Sequence, residues 1–172
     1  MKRIFMTRDV TLKASGSATA SERATPLFLE DLSVGYAVTT GEWLVTKDDI
    51  VSFARDWDPQ PFHLDERAAK DSFFGRLVGS GIHTYAITMR LCVDAGIFTG
   101  NAVAGLGFDQ LRFGAPVYPG NSLLARLTVA SLRVSKSKPE FGVVNWHVNT
   151  SDENGRSVLS VVATNLFRRK IR

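Results

Sequence analysis

One stretch constrains the fold more than any other: residues 82–98, IHTYAITMRLCVDAGIF, are apolar on nearly every face when wound into a helix. Ile82, Ala86, Met89 and Val93 recur at helical spacing, while Tyr85, Leu91 and Cys92 fill other faces. A helix of that kind belongs in a core, so the chain must supply a cover for it. After Gly100 the period changes to that of strands. Leu123, Ala125, Leu127 and Val129 alternate with Leu124, Arg126 and Thr128, and Val144, Trp146 and Val148 alternate with Asn145, His147 and Asn149. Residues 103–118, 122–134, 143–150 and 157–169 are strand candidates, separated by the turn signals YPGN, SKSKPEFG and SDENG. A strand, helices, then four strands joined by short turns is the order of an α+β fold in which an antiparallel sheet wraps one long buried helix.

Ahead of that helix, GEWLVT is a short strand candidate and TKDDIVSFARDW a helix, with Thr46 followed by two acids as its N-cap. The helix must end near Trp57, because Pro59 and Pro61 push their preceding residues toward extended backbone. DPQPFH therefore reads as a stiff loop, DERAAKDS as a short helical turn and FFGRLVGSG as a loop punctuated by glycine. Residues 1–26 are rich in Ser, Thr, Ala and Arg and poor in acids; they read as a flexible extension, with an organelle leader as the weaker alternative. Residues 27–172 are then one domain. That is too short for separate cofactor and substrate domains, so the work falls within one unit or between copies.

With 21 Lys+Arg against 17 Asp+Glu the formal charge is +4, and no run of five like charges occurs. No nucleic-acid partner is called for; solvated surface charge and a phosphorylated small molecule fit equally well. Arg168, Arg169, Lys170 and Arg172 read as a solubilising tail. The single cysteine, Cys92, excludes an internal disulfide and a thiolate zinc site, and points to a core position in a reducing compartment. No segment approaches 18 continuous apolar residues, so a soluble, cytoplasmic protein with no membrane partner is expected.

Two stretches stand apart from packing. Residues 56–65, DWDPQPFHLD, put three carboxylates and His63 on a proline-stiffened loop. Stiffness suits proton transfer, which needs side chains held within hydrogen-bond reach of one water or substrate proton. A surface turn in which Asp58 caps a helix and His63 is incidental reads equally well from the residues alone. A metal site is the third reading; it lacks an HExxH or EF-hand pattern, and the prolines limit convergence. The second stretch, Gly79-Ser80-Gly81, opens the apolar helix. Its unpaired N–H groups and dipole suit a developing oxyanion, although glycines in a tight turn look the same. Gly105-x-Gly107 lacks the third glycine of a dinucleotide fingerprint, and there is no GxSxG or P-loop.

The run FARDWDPQPFHLDERAAKDSFFGRLVGSGIHT, followed by LRFGAPVYPGNSL, resembles the MaoC-like dehydratase family, which includes the R-specific enoyl-CoA hydratases. The family's hydratase motif is Asp-x-Asn-Pro-x-His, with a glycine at the entry to the central helix. Asp58, Pro61 and His63 stand at that spacing, and Gly81 follows Asp58 by 23 residues. The likeness covers roughly residues 28–168. It implies the hot-dog fold, with Asp58 and His63 activating one water for addition to a 2-enoyl thioester or for the reverse dehydration. It further implies the Gly81 N–H as oxyanion hole, no metal or redox cofactor, an acyl-CoA or acyl-carrier substrate and a homodimer. Two positions depart from the pattern: Gln60 stands in place of Asn, and Ser80 where many members carry His. These site-shaping positions, with Pro61, bear on substrate choice, and His83 is a candidate to replace a missing polar group. A hot-dog thioesterase and a non-catalytic acyl-thioester binding subunit remain the alternatives.

Overall fold

A computed structural model of the chain describes residues 26–170; apart from Pro26, the extension expected over residues 1–26 lies outside the described residues, as does Arg172. In chain order the elements are a 3-10 turn (Leu29–Asp31), β1 (Ala37–Leu44), α1 (Lys47–Trp57), α2 (Pro61–Leu64), α3 (Glu66–Lys70), α4 (Gly81–Asp94), β2 (Ala102–Phe113), β3 (Ser122–Val134), β4 (Phe141–Ser151) and β5 (Ser157–Arg168). The strands form one sheet in the order β1-β3-β4-β5-β2, with every neighbouring pair antiparallel, and α4 packs on its concave side. This is the hot-dog arrangement.

Local chemistry accounts for the helix boundaries. At α1 the Thr46 hydroxyl accepts from the Asp49 N–H at 3.1 Å while the Asp49 carboxylate accepts from the Thr46 N–H at 3.0 Å, a reciprocal cap. The stiff loop expected at DPQPFH contains a turn of helix, α2. Pro61 sits at its first position, where a missing N–H leaves no bond unmade. Asp65 caps α3 by accepting from the Ala68 N–H at 2.8 Å. The long helix stops at Asp94, short of the apolar run's end at Phe98, because Gly96 takes a left-handed backbone (φ 77°) that closes it.

The alternation expected in the strands holds: Leu123, Ala125, Leu127 and Val129 of β3, and Val144, Trp146 and Val148 of β4, all point into the core. The stripe on α4 does not. Ile82 is 52% exposed and Val93 43%, Ala86 is exposed and Met89 half-buried. The buried side of α4 carries His83, Thr84, Ile87, Thr88, Leu91 and Cys92. A helix lying on one sheet can hide one side only, and two threonines are tolerated on that side because their hydroxyls are bonded. The Thr88 hydroxyl donates to the Thr84 carbonyl at 2.9 Å and meets the Thr150 hydroxyl at 2.8 Å. Burial pushes the Cys92 thiol up to about 12, as expected of an inert core cysteine.

The solubilising tail also needs correction. The Arg169 guanidinium donates to Glu30 at 2.8 Å and to the Pro139 carbonyl at 2.9 Å, and Lys170 pairs with Asp31. Arg168 lies over the Phe141 ring. This end of the chain is a clasp on the 3-10 turn. No helix among the described residues is long and apolar enough to cross a membrane.

Candidate active site

The site forms where the end of α1, the α2 turn and the start of α4 meet. Asp58 caps the C-terminus of α1, its N–H bonded to the Ala54 carbonyl at 3.0 Å. The two prolines then turn the chain so that His63, on α2, comes back beside it, 5% exposed. His63 Nδ1 lies 2.7 Å from the Val78 carbonyl oxygen. A carbonyl only accepts, so Nδ1 carries the hydrogen, and in the neutral tautomer Nε2 is the bare nitrogen that faces Asp58. Nε2 stands 3.5 Å from Asp58 Oδ2, too far for a good direct hydrogen bond and well placed for both atoms to share one small donor.

Asp58 is held from two further sides. The Ser80 hydroxyl donates to Oδ2 at 2.6 Å and the Gln60 amide to Oδ1 at 2.8 Å. The Ser80 bond, opposed by partial burial and aided by Gln60 and His63, holds the Asp58 carboxyl below the usual carboxylate range. Ser80 is also the N-cap of α4, accepting from the Ile82 N–H at 3.2 Å, so one hydroxyl joins the carboxylate to the helix N-terminus. Gly81 follows as the first helical residue, and no partner for its N–H is found among the described residues.

These groups line one edge of a cavity of about 450 Å³, whose other walls include Phe62, Phe74, Val78, Val117 and Phe113. Asp58, His63, Gln60, Ser80 and Gly81 are therefore brought together, while Pro61 sets the backbone of α2. His83 is not brought in. Its ring stacks on Phe53 with centroids 4.6 Å apart, burial lowers its pKa, and it neither lines the cavity nor hydrogen-bonds to a described residue. Of the three carboxylates in residues 56–65, Asp65 caps α3 and Asp56 is exposed away from the cavity, leaving Asp58 alone. Among the described residues no group of three or more His, Cys, Asp or Glu is placed to hold a metal ion. Sequence reasoning missed the Val78 carbonyl and Phe113. Nothing in a sequence marks a carbonyl as the partner of a side chain 15 residues away.

Ser80→Ala removes the donor that most favours the Asp58 anion. The Asp58 titration, followed by carboxyl carbon NMR, is expected to move up toward the ordinary aspartate range; an unmoved midpoint would show that Ser80 is only a cap.

The chain matches the family model described as "MaoC like domain" over residues 22–151. Among solved structures, the MaoC-like dehydratase from Rhodospirillum rubrum is similar with a TM-score of 0.80 and 40% identity, covering 85% of this chain and 99% of that one. The uncharacterized protein YdeM of Bacillus subtilis is 29% identical over 141 residues, 82% of this chain and 99% of its own length. Mesaconyl-CoA hydratase of Haloarcula marismortui is 35% identical over 66 residues, 38% of this chain and 18% of that enzyme. With a family match over residues 22–151 and a sheet wrapped on α4 in the same way as its solved relative, this chain belongs to the MaoC-like domain family of hot-dog proteins, which has hydratases among its members.

Proposed function

We propose that the protein hydrates 2-enoyl thioesters or dehydrates the corresponding 3-hydroxyacyl thioesters. The observation that carries this reading is the pairing of the Asp58 carboxylate with the bare Nε2 of His63, 3.5 Å apart on the same cavity as the free Gly81 N–H. A water between the two acceptors donates one O–H to each, which leaves an oxygen lone pair to attack C3 of the enoyl group. The new bond is O–C3. The C2=C3 electron pair moves through C2 onto the thioester oxygen, which the Gly81 N–H and the positive end of α4 stabilise. The proton lost by the water passes to the Asp58 and His63 pair, and the enolate recovers a proton at C2 on the same face. One water is added and nothing is left over. No step uses a metal or redox group.

The second copy is part of the proposal. β2 is an edge strand paired only with β5; its half-exposed Phe108 meets Tyr85 of α4, and the same helix exposes Ile82 and Val93. An unpaired strand flanked by an apolar helix face is a surface that a homodimer covers. Light scattering at twice the chain mass is expected. The acyl group would occupy the cavity and its carrier, coenzyme A or a carrier protein, would lie outside it.

The test is a panel of 2-enoyl-CoA and 3-hydroxyacyl-CoA thioesters, with absorbance of the conjugated thioester and release of free thiol followed together. Loss of conjugation without thiol is the expected result. Thiol release would make the protein a thioesterase, and neither signal would make it a binding subunit.

A further inference from the structure

We propose that Phe113 selects the substrate at the carbon next to the thioester carbonyl, admitting acyl groups unsubstituted at C2 and rejecting those branched there. The inference rests on the thioester reading of the cavity.

The backbone aims this ring deliberately. Phe108 is paired with Ala163 and touches Tyr85 of α4, so it points to the concave side. Simple alternation from Phe108 would turn Arg112 to the helix and Phe113 away from it. The register shifts between Asp109 and Arg112: Asp109 pairs with Val162 and Arg112 with Ser160, so three steps on β2 match two on β5. One residue is extra, and Gln110 adopts a left-handed backbone (φ 53°) within the bulge. After it, Phe113 pairs with the fully buried Leu159 and faces α4. The position is then pinned. The Gly114 N–H donates to the Val158 carbonyl at 3.0 Å, and a Cβ on Gly114 would stand 2.6 Å from the Ser157 carbonyl oxygen, so only glycine fits beside it.

The ring so placed ends on Gly81. A Cβ built on Gly81 would lie 2.9 Å from Phe113 Cζ and 3.0 Å from both Cε atoms, which means the ring tip already fills the space over that Cα. Gly81 bears the N–H assigned to the thioester oxygen, so the ring abuts the groups bonded to the carbonyl carbon. Those groups are the sulfur, present in every substrate, and C2. C3 has to lie toward Asp58 and His63, which leaves a substituent on C2 as the variable group nearest the ring. In the single chain Phe113 is 51% exposed and outside the buried core, so truncating it frees room at the cavity without opening that core.

The test uses saturated thioesters, which bind without being hydrated. Dissociation constants for butyryl-CoA and 2-methylbutyryl-CoA are measured by calorimetry on the full chain, its Phe113→Ala variant and its Phe113→Leu variant, each checked for folding by circular dichroism. The wild-type chain is expected to prefer butyryl-CoA by about tenfold or more, the lower end of what a one-carbon misfit produces. Phe113→Ala should bring the two within about twofold, chiefly by tightening the branched ligand, with Phe113→Leu between them. An unchanged ratio in Phe113→Ala, or no wild-type preference, overturns the proposal. Should Phe113→Ala fail to fold, the same ratio in Phe113→Leu decides, and a wild-type value there overturns it. Binding of neither thioester removes the thioester reading and this inference together. The expected binding pattern without hydration of crotonyl-CoA upholds the inference and removes the hydratase reading alone.

Discussion

Asp58→Asn should lower crotonyl-CoA hydration by about a hundredfold or more, the scale of losing an acid-base group, with the thermal midpoint almost unmoved. Asparagine keeps the shape of the side chain and an oxygen for the Ser80 donor at the position now 2.6 Å away, so the start of α4 is not disturbed. What it loses is the negative charge and the basicity that take the proton from water; an amide oxygen still accepts a hydrogen bond but does not hold the proton. His63→Ala should have a similar effect on rate, and it adds a structural penalty of about 1–3 kcal/mol because the buried Val78 carbonyl loses its donor. The two residues act on one water, so the double variant should be scarcely worse than either single one. Because Ser80, against partial burial, holds the Asp58 carboxyl below the usual carboxylate range, the carboxylate stays ionised as pH falls until that lowered value is reached. Its titration in the wild-type chain, followed by carboxyl carbon NMR, should therefore lie below the ordinary aspartate value. Hydration at the wild-type rate in either single variant would sink the assignment.

The parts of the fold that were legible in the sequence are those set by local chemistry. Thr46 and Asp49 announced the start of α1, and alternation in β3 and β4 named their core residues because a strand's period sorts its two faces without reference to anything distant. The stripe Ile82, Ala86, Met89 and Val93 misled for the opposite reason. Apolar spacing says that a face avoids water; it does not say whether the chain's own sheet or another surface covers it. The face that meets the sheet carries His83, Thr84 and Thr88, polar by composition; the two threonine hydroxyls bond carbonyls one turn earlier, and Thr88 adds a tertiary contact with Thr150, 62 residues away. The clasp of Arg169 and Lys170 on Glu30 and Asp31 is likewise a long-range pairing that a run of basic residues conceals.

The site divides in the same way. Asp58, Pro61, His63 and Gly81 were readable through a family motif, and the structure brings Asp58, His63 and Gly81 to one cavity. The motif could not assign the departures. Ser80 makes the shortest bond to Asp58, while His83, the position suggested as a polar replacement, turns toward Phe53. Successive residues on a helix point about 100° apart, so a group a few positions along α4 faces elsewhere however suitable its chemistry. Phe113 was invisible because its direction depends on a bulge with no marker in the sequence.

Trp146→Ala should be the most destabilising single change in the core, by about 3–5 kcal/mol, or a fall of roughly 6–20 °C in Tm. Trp146 is fully buried in the middle of β4, paired with Val129 on one side and Ala163 on the other. The rings of Tyr36, Phe98 and Phe167 stand 6.4, 6.3 and 6.2 Å from it, so truncation opens a void that β5 and the segments before β1 and after α4 would have to collapse to fill. Its Nε1 finds no hydrogen-bond partner among the described residues, so the indole contributes through volume and contact. Trp146→Phe keeps much of that contact, removes a buried unpaired donor, and should recover most of the loss. Phe98 lies just beyond the C-terminal end of α4, and Gly81 begins that 14-residue helix, about 20 Å from its far end. At a temperature where Trp146→Ala is still folded, its hydration rate should stay within a few times that of the wild type. Asp58→Asn should show the reverse, an unchanged melting curve and no rate. Thermal unfolding by circular dichroism alongside crotonyl-CoA turnover at low temperature separates the two. A Trp146→Ala variant that melts with the wild type would mean that the sheet and the end of α4 are not held together through this ring.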